Sequence, residues 1–62
     1  MKHYFVEYNA QYMGMYKRLA SALNLIKRKG YRNDYDNCLR LFDSYGNEYN
    51  PITGKEIVYP SY

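Results

Sequence analysis

"YFVEYNAQYMGMY", residues 4–16, decides the fold, because a tyrosine recurs at every fourth position: Tyr4, Tyr8, Tyr12 and Tyr16. Three backbones accommodate that spacing. In one long helix, Phe5, Tyr8, Tyr12, Met15, Leu19, Ala22 and Ile26 form a heptad-like seam, the pattern of a coiled-coil dimer. Against this, Gly14 in mid-helix costs about 1 kcal/mol, and the Tyr-Phe-Val opening favours a strand. In a hairpin, Asn9-Ala10 is the turn, and Tyr4, Val6 and Tyr8 share a face with Gln11, Met13 and Met15. Asn-Gly would be the stronger signal there. In a strand followed by a helix, Asn9 serves as the N-cap. The favoured reading is a strand over 2–8 and a helix ending at Lys29, with 11–16 open between strand and helix. Tyr4 and Tyr8 then lie on one sheet face, and Tyr4, Tyr8 and Tyr12 are expected to cover the core.

The helix is clearest in "KRLASALNLIKRKGY", residues 17–31, where Leu19, Ala22, Leu23 and Ile26 make one apolar stripe. Lys27, Arg28 and Lys29 occupy the last turn, where cations suit the negative end of the helix dipole. Gly30 supplies the left-handed residue of a C-cap, with Tyr31 placed for the accompanying apolar contact. Beyond a polar loop, "RNDYDN", the stretch "CLRLFDSYGNEYN" reads as a hairpin. Leu39 and Leu41 point one way, and Cys38, Arg40 and Phe42 the other. Its turn lies in residues 43–47, where Gly46 can take positive φ. Asn50-Pro51 and Thr53-Gly54 mark a second turn before "KEIVY", and Pro60 ends regular structure. The expected fold is α+β: one domain over residues 1–62, a small antiparallel sheet packed on one amphipathic helix.

A chain of 62 residues buries only about 60% of the surface its unfolded form exposes. Cores of this size rarely give more than roughly 3–5 kcal/mol, and many such domains add a disulfide, a metal or a second subunit. Cys38 is the single cysteine, so no internal disulfide forms, and it is expected to act as a small buried hydrophobe. No Cys/His set has zinc spacing. No stretch approaches the roughly 20 apolar residues of a membrane span, and Met1-Lys2-His3 does not open a signal peptide. The expectation is a soluble, cytoplasmic protein without cofactor or metal. A homodimer pairing through residues 4–16, where a first strand near the terminus offers an open edge, would supply the missing stability.

Charge is divided more sharply than the net +3 suggests. Lys17, Arg18, Lys27, Arg28, Lys29 and Arg32 fall in residues 17–32 with no acid among them. Asp34, Asp36, Asp43, Glu48 and Glu56 follow, against Arg40 and Lys55. A basic patch of this kind can meet an acidic partner. On the helix wheel Leu25 lies about 110° from the centre of the apolar stripe, among Arg18, Ser21 and Arg28. Set among cations, it is a candidate contact.

Chemistry is sparse. His3 is the single histidine, with no nucleophile at a recognisable spacing. Asp34 and Asp36 begin like a calcium loop, but the position for a third oxygen ligand is Cys38. The glycines are scattered rather than gathered into a phosphate loop. The chain is therefore expected not to be an enzyme. Its ten tyrosines fit a contact surface, since tyrosine offers a large apolar body and a hydroxyl at low entropic cost.

The helix end "LIKRKGY" and the tail "LFDSYGNEYNPITGKEI" resemble small accessory proteins encoded by phages and mobile elements of AT-rich bacteria. The resemblance implies a protein that binds and inhibits a host complex, as anti-CRISPR inhibitors do. Taken together, the expectation is a non-enzymatic module that binds a protein or nucleoprotein partner through Arg18, Leu25, Arg28, Tyr31, Arg32 and Tyr35. Direct nucleic-acid binding through the same basic face is the alternative, and a self-assembling subunit a third.

Overall fold

The computed structural model describes residues 1–59; the expected stop at Pro60 lies outside them. In chain order the elements are β1 (Tyr4–Tyr8), β2 (Gln11–Tyr16), α1 (Leu19–Lys29), β3 (Leu39–Asp43), β4 (Glu48–Tyr49) and β5 (Glu56–Ile57). All strand pairs are antiparallel, in the order β2-β1-β3-β4-β5, and α1 packs against β1 and β2. The fold is a small α+β sheet-and-helix unit.

Residues 11–16 are strand, which removes both the long helix and its coiled-coil seam. Asn9 and Ala10 turn the chain with φ of 50° and 69°, and Tyr8 pairs with Gln11 across them. This is the two-residue connection with both centres left-handed, whose twist matches that of the flanking strands. The pairing then slips by one residue between Val6 and Glu7. Glu7 faces Tyr12, Val6 faces Gly14, and Met13 is the extra residue of a bulge. A one-residue slip exchanges faces. Met15 therefore pairs with Phe5 rather than Tyr4, and Tyr16 takes the place opposite Tyr4. The four-residue tyrosine period is thus split. Tyr4, Tyr8 and Tyr16 pack on the core, while Tyr12, expected in the core, is 63% exposed beyond Phe5.

The core joins Val6 and Leu41, both fully buried, to Leu39, Tyr49, Ala22, Leu25 and Ile26. Leu39 and Leu41 point inward and Arg40 outward, as their alternation requires. Burial of Leu25 overturns its role as an exposed contact. The sheet meets the Ala22–Leu25–Ile26 side of α1, a turn of roughly 50° from the predicted stripe centre. Leu23, on the other flank, is covered instead by the turn after Asn50, where Gly54 comes so close that a Cβ there would stand 2.7 Å from Leu23 Cδ1. The cysteine expectation also fails, because Cys38 is exposed. Its backbone N–H donates to Asn9 Oδ1 at 2.8 Å, which holds it at the rim of the sheet.

The helix ends as its sequence dictates. Gly30 takes φ 70°, its N–H donates to Lys27 O at 3.2 Å, and the Tyr31 N–H donates to Ile26 O at 3.1 Å. These are the paired bonds of a Schellman motif. The N-terminus is less well served: Arg18 sits at the N-cap without a side-chain bond, and no acid lies in the first turn.

Candidate functional site

The residues expected to form one contact surface are divided by the fold. Arg18 and Arg28 are both exposed but stand at opposite ends of α1, about 15 Å apart along its axis. Leu25 is in the core. Arg28, Tyr31, Arg32 and Tyr35 remain, all at or beyond the C-terminal end of the helix.

Tyr31 is half-buried, its ring stacked on Tyr8 with centroids 4.1 Å apart and planes at 15°. Its hydroxyl donates to Met13 Sδ at 3.0 Å. Tyr31 is thus a wall with a committed face, unable to offer that face to a ligand. Tyr35 is the opposite case, fully exposed on a loop that is itself held fast. Asp34 Oδ1 accepts from the backbone N–H groups of Asp36 and Asn37 and from Asn37 Nδ2, each at 3.0 Å. Asn37 Oδ1 accepts from the Tyr8 hydroxyl at 3.0 Å, and Leu39 N–H donates to Asn33 Oδ1 at 3.2 Å. The Asn37 bond, followed by backbone donation, holds the Asp34 carboxyl below the ordinary carboxylate value. The carboxylate that looked like the start of a calcium loop is spent on a turn.

Between the helix end and the turn after Asn50 lies a cavity of about 250 Å³, lined by Leu23, Ile26, Lys27, Gly30, Tyr31, Pro51 and Ile52. Sites for drug-sized ligands begin at about 300 Å³, so this one suits a single large side chain. Its walls mix apolar side chains with polar surface, to which Lys27 contributes, and Arg28, Lys29 and Arg32 follow in sequence, all exposed. Pro51 was legible in the sequence only as part of a turn and Ile52 not at all, because their meeting with α1 is long-range. Ile52 is 62% exposed at the mouth.

One further cluster escaped the sequence reading. Asp43 is buried, 2% exposed, at the end of β3. It accepts from the Tyr45 and Asn47 backbone N–H groups at 2.9 and 3.0 Å, from Asn47 Nδ2 at 3.2 Å, and from the Tyr49 hydroxyl at 2.7 Å. Lys2 Nζ stands 3.5 Å away. Burial alone would raise this carboxyl, but the donors from Tyr49, Asn47 and Tyr45 outweigh it and hold it well below the usual carboxylate range. In turn, its hydrogen bond with Asp43 pushes the Tyr49 phenol up, and donation to Tyr49 raises the Lys2 ammonium. With its lone pairs occupied by the turn it organises, Asp43 has nothing left for a substrate. The Asp43-Ser44 start of the turn was its only trace in the sequence.

The sheet face away from α1 carries Phe5, Glu7, Tyr12, Met15, Arg40, Phe42 and Glu48. Phe5 and Phe42 stack at 5.6 Å, and the Arg40 guanidinium lies 5.2 Å from the Phe42 centroid. Arg40 reaches Glu48 at 3.1 Å and Glu7 at 3.5 Å, and the Glu48 bond, with both carboxylate charges behind it, raises its pKa further. Among the described residues there is no group of three or more His, Cys, Asp or Glu arranged to hold a metal ion. No described helix is long and apolar enough to cross a membrane. No family model, curated protein or solved structure matches this chain.

Proposed function

We propose that this protein is a non-enzymatic interaction module that docks an acidic segment of a protein partner, seating one apolar side chain of that segment in the cavity at the C-terminal end of α1. The observation that carries this reading is a socket in which Leu23, Ile26, Tyr31, Pro51 and Ile52 supply apolar surface beside Lys27, at the end of the most basic stretch of the chain. An apolar anchor in a pocket with charge around its rim is how small interfaces concentrate their binding energy. Lys27, Arg28 and Arg32 would meet the partner's carboxylates, and Tyr35 would extend the contact from its pinned loop. The likeness to phage accessory proteins makes a host complex the natural partner, with inhibition as the outcome.

Direct nucleic-acid binding has less support. Base stacking needs free aromatic faces beside cations. The Tyr31 ring is engaged with Tyr8, Tyr35 sits between Asp34 and Asp36, and the aromatic sheet face is shared with Glu7 and Glu48.

An NMR titration separates these readings. The probes are a short Glu-rich peptide with one central leucine, the same peptide with serine there, and a single-stranded oligonucleotide. The leucine peptide is expected to shift Leu23, Ile26, Tyr31 and Ile52, and Lys27→Glu with Arg28→Glu should abolish those shifts. The serine peptide should bind at least fivefold more weakly. Equal binding of the two peptides, or shifts with the oligonucleotide alone, would sink the proposal.

A further inference from the structure

The two edges of the sheet are unlike. β5 closes one side with two residues, Glu56–Ile57, preceded by Lys55. β2 closes the other with six, Gln11–Tyr16, containing no charge and no proline. Short edge strands and edge charges keep the strands of neighbouring molecules from pairing. β5 has both devices and β2 has neither. Among the described residues no other strand pairs with the outer side of β2, and no backbone bond from turns or loops reaches it. The expected open edge on the first strand is absent, since β1 lies between β2 and β3.

A bulge ordinarily protects an edge by twisting it away. The bulge at Met13 has a second effect, setting Tyr12 and Met15 on the same face, 63% and 53% exposed. Their positions are symmetric about the middle of the strand. We infer that β2 pairs antiparallel with β2 of a second copy of this chain, about a two-fold axis between Met13 and Gly14. That axis places each Tyr12 against the other copy's Met15, a thioether on an aromatic ring, which is a favourable contact. It also brings each Gln11 opposite Tyr16. The contact is isologous, so it closes at two copies and joins the sheets into one of ten strands.

Charge favours a second copy in this register. Lys17 and Arg18 follow directly after β2, and the antiparallel axis sends them to opposite ends of the joint. The two Lys17 residues lie about 24 Å apart at 3.4 Å per residue, beyond the screening length of about 8–10 Å. A parallel pairing would bring them side by side. The inference is independent of the helix-end cavity, which lies on other elements.

Sedimentation equilibrium from micromolar to millimolar concentration tests it, with hydrogen exchange of the β2 amides as a local readout. The wild-type chain is expected to pass from monomer to dimer, with exchange at residues 11–16 slowing as concentration rises. Tyr12→Lys alone and Met15→Glu alone should each weaken dimerisation at least tenfold. Both side chains are exposed, so the variants should keep the wild-type circular dichroism spectrum. A chain carrying both substitutions should recover the dimer, because each new ammonium faces the new carboxylate of the other copy. A monomer at every concentration would overturn the inference and leave the edge to a strand from another protein. A dimer indifferent to both single substitutions, or growth beyond two copies, would overturn it as well.

Discussion

Ala10 holds φ 69° at the second centre of the first turn, a conformation that costs a residue with a Cβ roughly 1–2 kcal/mol. Glycine avoids that cost and adds about 0.5–1 kcal/mol of unfolded-state entropy. Ala10→Gly is therefore expected to stabilise the fold by about 0.5–1 kcal/mol, seen as a melting temperature a few degrees higher. A lower melting temperature would mean that the turn is not of this type. Asp43 acts at the same scale with the opposite sign. Its folded pKa is depressed from 3.8, so its contribution is fully present above that value and is lost as pH falls below about 4. Asp43→Asn should cost about 1.5–3 kcal/mol at neutral pH, the range for hydrogen bonds to a charged group. Denaturant melts at pH 7, 4 and 2.5 should show the variant losing less stability than the wild type across the acid range. Parallel losses would place the acid sensitivity elsewhere.

Between elements, the turn after Asn50 meets α1 where Gly54 rests on Leu23. Gly54 has φ 78°, and an added Cβ would collide with Leu23 Cδ1. Gly54→Ala is expected to cost about 2–4 kcal/mol from backbone and overpacking together. Leu23→Ala removes the collision but not the backbone cost. The double variant should therefore be more stable than the sum of the single losses by about 1 kcal/mol, as for residues in contact. Strict additivity in urea unfolding would mean that the turn does not rest on α1. The helix shows the same division between local and distant causes. Its stop at Gly30 follows from φ preference and two backbone bonds, whereas its tilt toward Leu25 follows from where the sheet lies.

Over the whole molecule, the two proposed contact surfaces lie on separate places. Lys27, Arg28, Lys29 and Arg32 gather at the C-terminal end of α1 beside the cavity, and the uncharged edge strand is β2. Substitutions at Lys27 and Arg28 should leave the mass in solution unchanged, and those at Tyr12 and Met15 should leave peptide capture unchanged. What was legible in the sequence was local. The stripe and C-cap of α1, the alternation of Leu39, Arg40 and Leu41, and the two later turns each rest on preferences acting within about one helical turn or one strand pair. Tertiary structure alone decided the bulge that exchanged the faces of Met15 and Tyr16, the burial of Leu25 and Asp43, the exposure of Tyr12 and Cys38, and which strand was left at the edge. Those features depend on which elements meet, because a side chain's face is set by its own backbone but its burial by whatever packs against that face.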